Sequence, residues 1–199
     1  MIIETLVVTG VLAASSAIGG FLASRRRARR RRAELEKQAT EASTADPAAA
    51  ARARGLRVDD VLLYADEELW LAGALELDEE GFVARLFRTP GAKRCDWLVQ
   101  LDADAERVAL LRNTTDVPTG TVPERLRVDG MVLSLVKRGR ACVRSEGAQL
   151  PTVPDAVRYA ILAASGGRTL VVLDFEGAPR IAVSGELVPR EMLDLLAGS

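Results

Sequence analysis

Three carboxylates at every second position are the residues of this sequence best spaced to do chemistry. Asp102, Asp104 and Glu106 lie in the stretch LDADAERV. In an extended segment, side chains two residues apart point to the same side, so the three could present oxygen ligands to a hard cation. The glycine and the distal glutamate of an EF-hand loop are not in place. We therefore predict a solvated turn between two apolar strands, with these residues as weak metal candidates only.

The sequence contains few other side chains that commonly take part in catalysis. The sequence has no histidine, which excludes Ser-His-Asp and Cys-His arrangements and every His-ligated metal site. Its two cysteines, Cys95 and Cys142, are too few for a disulfide framework or a structural zinc site, and we predict two partly buried thiols. These features predict no cofactor, no metal, no catalytic residue and no enzymatic activity. The alternative is a histidine-free enzyme or ligand-binding domain, which requires a pocket where Asp, Glu and Arg converge.

A dense run of arginines follows an uncharged N-terminal stretch. The stretch Thr5–Ser24 carries no charge, and as a helix it would span about 30 Å, the thickness of the hydrocarbon core of a bilayer. A secretory signal has its positive charge before the apolar run, whereas here the charge follows it. The sequence therefore predicts an uncleaved transmembrane helix over 5–24. The arginines of the collar that follows are Arg25, Arg26, Arg27, Arg29, Arg30, Arg31 and Arg32.

This collar predicts the topology. Positive charge next to a membrane span stays in the cytoplasm, so residues 1–4 are expected outside and the C-terminal body in the cytoplasm. Arginine far outnumbers lysine and alanine is abundant, which suggests a GC-rich bacterial source and therefore the inner membrane of a bacterium. The collar is also expected to contact anionic lipid headgroups. Nucleic-acid binding is disfavoured because the body from residue 55 onward is mildly acidic. Small residues recur on one helix face at Ser16, Gly20 and Ser24, a pattern that would allow a homodimer through the transmembrane helix but that is also common in any alanine-rich span.

The rest of the chain divides into a tether and a folded body. Residues 25–54 combine the arginine collar with an alanine-rich segment that Pro47 interrupts, and we predict a partly helical tether. From residue 55 to 199 short apolar runs alternate with turn signals such as Asp129-Gly130 and Gly166-Gly167. This spacing predicts a mainly β, antiparallel domain. Only the stretch over 189–197 is predicted as a helix, beginning at Pro189.

The body also contains similar stretches in the same order. The segment LRV at Leu56 recurs at Leu126, and WLVQLDADAERVAL from Trp97 recurs as TLVVLDFEGAPRIAV from Thr169. These recurrences predict two units, over about 55–122 and 123–188, each an antiparallel β-meander. One such unit is too small to bury its apolar face alone, so we expect the two to pack into one sandwich or barrel.

Part of the second unit resembles a known family. PERLRVDGMVLSLVKRGRACV is similar to the signature of the bacterial family catalogued as domain of unknown function 4178, in which an Asp-Gly turn leads into a strand that closes on Arg-Gly-x-Ala. The resemblance covers most of residues 56–188, although Val128 replaces the usual aromatic residue before the turn. It implies no known catalytic residues. The matching signature residues are Trp97, Asp129, Gly130, Arg138 and Gly139.

Two further groups of residues have a plain and a functional interpretation. Trp70 and Trp97 are predicted to anchor the core rather than a ligand. Lys137, Arg138 and Arg140 are the one basic cluster of the body, and they predict either a charged strand edge or a site for an anion or acidic partner. Taken together, these features predict a membrane-tethered interaction or scaffold module that binds an unknown protein partner.

Overall fold

The computed structural model describes residues 55–101 and 106–196. The predicted transmembrane helix over 5–24, the arginine collar and the tether up to residue 54 lie outside these residues, as do Asp102 and Asp104. Within the described part, no helix combines the length and the apolarity that crossing a membrane requires.

The described residues form twelve strands and one turn of 3-10 helix. The strands are β1 (Val61–Tyr64), β2 (Glu67–Trp70), β3 (Gly73–Glu79), β4 (Phe82–Arg88), β5 (Trp97–Gln100), β6 (Arg107–Asn113), β7 (Arg125–Val128), β8 (Met131–Gly147), β9 (Ala156–Ala163), β10 (Arg168–Phe175), β11 (Ile181–Pro189) and β12 (Asp194–Leu196), and the 3-10 turn is Arg190–Met192. This confirms the predicted mainly β fold.

Eight of these strands close into an antiparallel barrel. The order around it is β3, β4, β5, β6, β11, β10, β9, β8, and β8 pairs back onto β3. Strands β3 to β6 form one meander and β8 to β11 a second one. The meanders meet edge to edge at two junctions, β6–β11 and β3–β8. Closure leaves none of these eight strands with an unpaired edge, so the structure is a barrel rather than an open sandwich.

The barrel interior is filled by alternating apolar side chains. Leu75 and Leu77 of β3 and Leu86 of β4 are each at most 1% exposed. Burying a leucine of this kind stabilises the fold by about 1.5–3 kcal/mol. The other fully buried members of this core include Val99, Ala109, Leu111, Val171, Leu173 and Val183.

Each meander is also covered on its outer face. A separate sheet in the order β12, β1, β2 packs on the first meander, where Leu62 and Leu69 meet Phe87. On the second meander, Val128 and Leu133 of the β7–β8 hairpin pack against the outer side chains of β9 and β10. The open wall between these two covers is where polar side chains collect.

The predicted C-terminal helix over 189–197 is wrong. Pro189 is the last residue of β11, a 3-10 turn follows, and Asp194–Leu196 then pair with β1 as β12. Leu193 is buried and Leu195 half-buried on the same side, whereas Met192 is 56% exposed. The free edge of β1 supplies the backbone hydrogen bonds, and burial at every second residue suits a strand rather than a helix.

The two predicted units map onto the two meanders. Residues 55–122 hold β1 to β6, and residues 123–188 hold β7 to β10 and all but the last residue of β11. Each unit contributes four consecutive strands to the barrel, in the same order. Their origin by duplication stays a prediction.

Candidate functional site

The residues predicted as metal candidates are only partly described. Glu106 lies immediately before β6, exposed to solvent, and its backbone carbonyl accepts a hydrogen bond from the backbone N–H of Arg190 at 2.8 Å. Among residues 55–101 and 106–196, no group of three or more Cys, Asp and Glu side chains lies close enough to hold a metal ion. A cation site that includes Asp102 and Asp104 falls outside what the structure describes.

The five signature residues occupy turns and packing positions in separate places. Trp97 is 3% exposed and its Nε1 donates to Asn113 Oδ1 at 3.2 Å. Asp129 and Gly130 form the β7–β8 turn with φ angles of 49° and 78°, a conformation that Asp and Gly tolerate. Arg138 donates from its guanidinium to the carbonyl of Val122 at 2.6 Å.

Gly139, the fifth signature residue, lies under a cluster of polar and aromatic side chains that we call the Glu79 cluster. Its members are Glu79, Phe82, Lys137, Gly139 and Tyr159. The Tyr159 hydroxyl donates to Glu79 Oε2 at 2.5 Å, and Lys137 Nζ lies 3.1 Å from the same oxygen. The backbone N–H of the next residue, 140, donates to Oε1 at 3.1 Å. A Cβ on Gly139 would fall 1.9 Å from Oε1, so a larger residue there would require the flexible end of the Glu79 side chain to shift.

Every polar group of the Glu79 cluster has a partner. The hydrogen bond from Tyr159 lowers the pKa of Glu79, helped by Lys137 and opposed by burial. Burial, with the neighbouring Glu79 carboxylate, raises the pKa of Tyr159 well above its usual range. Lys137 Nζ also lies 3.6 Å from the centre of the Phe82 ring, a favourable cation–π distance. A tyrosine that holds its proton this firmly is a poor acid and remains a hydrogen-bond donor, so the contacts of the Glu79 cluster join β3, β8 and β9.

The basic cluster predicted from Lys137, Arg138 and Arg140 is therefore split. Lys137 belongs to the Glu79 cluster and Arg138 binds the backbone at Val122. Arg140 lies exposed on the outer wall, directly opposite Arg158 of β9. Irregular register between Leu135 and Lys137 changes which way the following side chains face, which sequence spacing does not reveal.

A polar groove of about 690 Å³ lies over the junction of β6 and β11, and we call it the junction groove. It runs between the two outer covers, with Tyr64 on one side and Asp129 on the other. Besides Tyr64, its charged and hydroxyl-bearing residues are Lys93, Arg94, Asp96, Arg112, Thr114, Asp129, Arg168, Ser184 and Glu186. The narrow floor depends on Gly185, since a Cβ there would fall 1.9 Å from the backbone oxygen of Leu110.

Several groove residues are engaged by the fold. Asp129 forms an ion pair with Arg168. Asp96 accepts a hydrogen bond from the backbone N–H of Asn113 at 2.9 Å. Arg94 lies 3.6 Å from a carboxylate oxygen of Glu67. These contacts hold the walls of the groove.

Other groove residues are not engaged. Ser184 is 5% exposed, and its Oγ and the Nε of Arg168 are both buried without a hydrogen-bond partner among the described residues. Leaving a buried polar group unpaired costs about 1–3 kcal/mol. Arg112 lies directly opposite Ser184 on β6, is exposed, and makes no hydrogen bond or ion pair with another residue of the described part. The groove thus holds donors that the fold does not use.

Neither Arg112 nor Ser184 was predicted from the sequence to be a site residue. The available signal was weak: one serine interrupts the apolar run IAVSGELV, and one arginine ends the run VALL. Nothing local indicates that these two residues lie opposite each other, because β6 and β11 belong to different meanders.

The fold and groove define an all-β domain built on a filled, closed, eight-stranded antiparallel barrel that carries a small sheet on its outer face. No protein-family model matches the chain, and no curated protein or solved structure matches it either. The resemblance to domain of unknown function 4178 remains a prediction from the signature residues.

Proposed function

We propose that the chain is a non-enzymatic interaction module, tethered to the cytoplasmic face of a bacterial membrane, that binds a protein partner through its small sheet. The proposal is carried by an apolar row on the open face of that sheet. Leu196, Val61 and Trp70 lie side by side across β12, β1 and β2. Trp70 is 41% exposed and Leu196 45% exposed. Contrary to expectation, Trp70 does not anchor the core.

The position of this row is unusual for a sheet that already packs on a barrel. The other face, with Leu62 and Leu69, is buried against the first meander. A solvated outer face would alternate to polar residues. Instead it presents apolar side chains on all three strands, and exposed apolar patches of this kind mark interaction surfaces. Trp is also the residue type that contributes most to binding energy at protein interfaces.

A second row specifies the partner's chemistry. Glu68 is exposed and lies beside Leu63, next to the apolar row. Charge complementarity favours a partner surface with an apolar centre and basic residues at its rim. The Glu68 carboxylate also disfavours an anionic lipid surface as the occupant of this face.

The predicted membrane span and collar add a location to this proposal. A short tether keeps the barrel near the membrane and raises its effective concentration toward partners there. A tag fused after Ser199 tests the topology. It is expected to resist protease added to intact spheroplasts, and digestion of the tag would contradict a cytoplasmic barrel.

The partner-binding face is tested by proximity labelling in cells with the full chain. Trp70→Glu and Leu196→Glu are expected to lose a defined set of labelled basic proteins, because each places a charge in the apolar row. Met131→Glu is the matched control, since Met131 is 42% exposed in the β7–β8 hairpin, which lies outside the small sheet. Recovery of the same proteins with all variants would contradict the proposal.

A ligand-binding domain without histidine is the second candidate function. It is supported by the junction groove, where Asp, Glu and Arg side chains converge around buried donors without partners. The two candidates use different surfaces and can be tested independently.

A further inference from the structure

We infer that the junction groove binds a phosphate group, held by the guanidinium of Arg112, the hydroxyl of Ser184 and the Nε–H of Arg168. This inference rests on the ligand-binding candidate and not on the apolar row of the small sheet. Its basis is a set of donors that the fold leaves without acceptors.

The three residues lie on three neighbouring strands and face the same side. Ser184 of β11 is directly opposite Arg112 of β6. On the other side of β11, Arg168 of β10 is opposite Glu186, two residues beyond Ser184. Side chains two residues apart share a face, so the donors converge within about two strand spacings, roughly 10 Å. All three line the groove.

The chemistry of these groups selects an acceptor-rich anion. Arginine N–H groups only donate, and Ser184 Oγ lies in the same unsatisfied environment. Hydrogen bonds from guanidinium to phosphate are charge-assisted and frequently bidentate. Donors arriving from three strands suit the several oxygens of a tetrahedral phosphate better than the two coplanar oxygens of a carboxylate.

The two buried donor atoms lie beneath the groove surface, so a ligand reaches them by displacing the side chains above. Arg112 is suited to such a movement because it is exposed and unpaired within the described part. Of the groove's carboxylates, Asp129 is neutralised by Arg168 and Asp96 is held by the Asn113 N–H. Glu186 is the carboxylate that opposes an anion, as it lies exposed beside Arg168.

The test is calorimetric titration of the full chain in non-ionic detergent with inorganic phosphate at constant ionic strength. Wild type is expected to bind saturably. Arg112→Gln should weaken binding about tenfold or more, and Ser184→Ala about fivefold, because each removes a donor to the anion. Glu186→Gln should tighten binding about threefold, because it removes a repelling charge.

Two controls isolate the groove. Arg107→Gln removes an exposed arginine from the other end of β6 and should leave binding unchanged, as should Trp70→Glu in the small sheet. Circular dichroism of each variant confirms that the barrel is folded. If Arg107→Gln weakens phosphate binding as much as Arg112→Gln does, the binding is general charge attraction and the inference is overturned. If wild type shows no saturable binding, there is no defined site and the inference is overturned as well.

Further titrations distinguish the source of the phosphate and the class of anion. Glycerol 3-phosphate represents soluble phosphate esters, and short-chain phosphatidic acid in mixed micelles represents a lipid headgroup; binding of either, dependent on Arg112, supports the site and identifies its source. If acetate binds with this dependence and phosphate does not, the phosphate assignment is wrong but the ligand-binding candidate stands. If no anion depends on Arg112 and Ser184, both are wrong.

Discussion

The Glu79 cluster and the junction groove are two polar regions of one barrel that differ in how their hydrogen bonds are satisfied. In the cluster, Glu79 accepts from Tyr159 and from a backbone N–H and lies beside Lys137. In the groove, Ser184 Oγ and Arg168 Nε are buried without partners among the described residues.

This difference separates stability from binding. A buried polar group with its partner in place contributes to the fold, whereas one without a partner costs free energy and is retained where function uses it. The cluster belongs to the β3–β8 side of the barrel and the groove to the β6–β11 junction. The two regions are therefore expected to respond oppositely to removal of a hydroxyl group.

The largest effect on the free energy of unfolding is expected when the glycine at the groove floor, Gly185, is replaced. A Cβ at Gly185 meets the backbone oxygen of Leu110 at 1.9 Å, and a backbone carbonyl inside a ladder cannot move aside. We expect Gly185→Ala to lower the free energy of unfolding by about 3 kcal/mol or more. Gly139→Ala is the matched variant, because its Cβ meets the flexible end of Glu79. Urea unfolding should show a smaller loss for Gly139→Ala, and equal losses would contradict this ranking.

The next largest effect on the free energy of unfolding is expected when the Tyr159 hydroxyl of the Glu79 cluster is removed. Tyr159 is 3% exposed, so Tyr159→Phe leaves the Glu79 carboxylate without its shortest hydrogen bond. We expect a decrease of about 1–3 kcal/mol in the free energy of unfolding, measured by urea denaturation. Tyr64→Phe removes a hydroxyl from a half-buried tyrosine in the groove wall and serves as control. A similar loss for both variants would show that the cluster has no special role.

The pH dependence of the same cluster gives a third comparison. Because the pKa of folded Glu79 lies below its ordinary value of 4.5, the unfolded chain takes up a proton first as pH falls. The contribution of Glu79 is therefore present above pH 4.5 and is lost as pH falls through the folded pKa. The stability difference between wild type and Glu79→Gln should be constant near neutrality and shrink in acid. An unchanged difference down to pH 3 would exclude this linkage.

The smallest change in the free energy of unfolding is expected in the junction groove, and it is an increase rather than a decrease. Ser184→Ala removes a buried hydroxyl that has no partner, so the free energy of unfolding should rise by up to about 1 kcal/mol. Ser134→Ala, at an exposed position of β8, should change it little. Thermal unfolding of both variants measures the difference. Destabilisation by Ser184→Ala would mean that its hydroxyl supports the fold, and the contrast between the two regions would disappear.

Much of the local structure could be predicted from the sequence. The turns at Asp129-Gly130 and Gly166-Gly167 and the alternating apolar runs correspond to hairpins and strands, because these signals depend on neighbouring residues. The run LWLAGALEL was harder. It divides at Leu71 and Ala72, which are both buried where the chain leaves the small sheet and enters the barrel. At such a corner the apolar residues do not alternate with polar ones, so the sequence alone suggests one continuous strand.

The candidate site was less predictable than the strands. The signature residues and the carboxylates of LDADAERV stand out by type and spacing, whereas Arg112 and Ser184 are single polar residues in apolar runs. Their importance depends on which residue lies opposite and on whether a partner is in reach. Both properties belong to the paired strands and not to either strand alone.

The sequence by itself determined where the strands and turns of this barrel lie, because the alternation of side chains and the backbone preferences of Gly, Asp and Pro act over a few residues. The tertiary structure alone decided that β3 pairs with β8 and β6 with β11, and that the last residues pair with β1 instead of forming a helix. Those pairings join distant segments, and a strand edge takes whichever segment satisfies its hydrogen bonds while burying apolar surface.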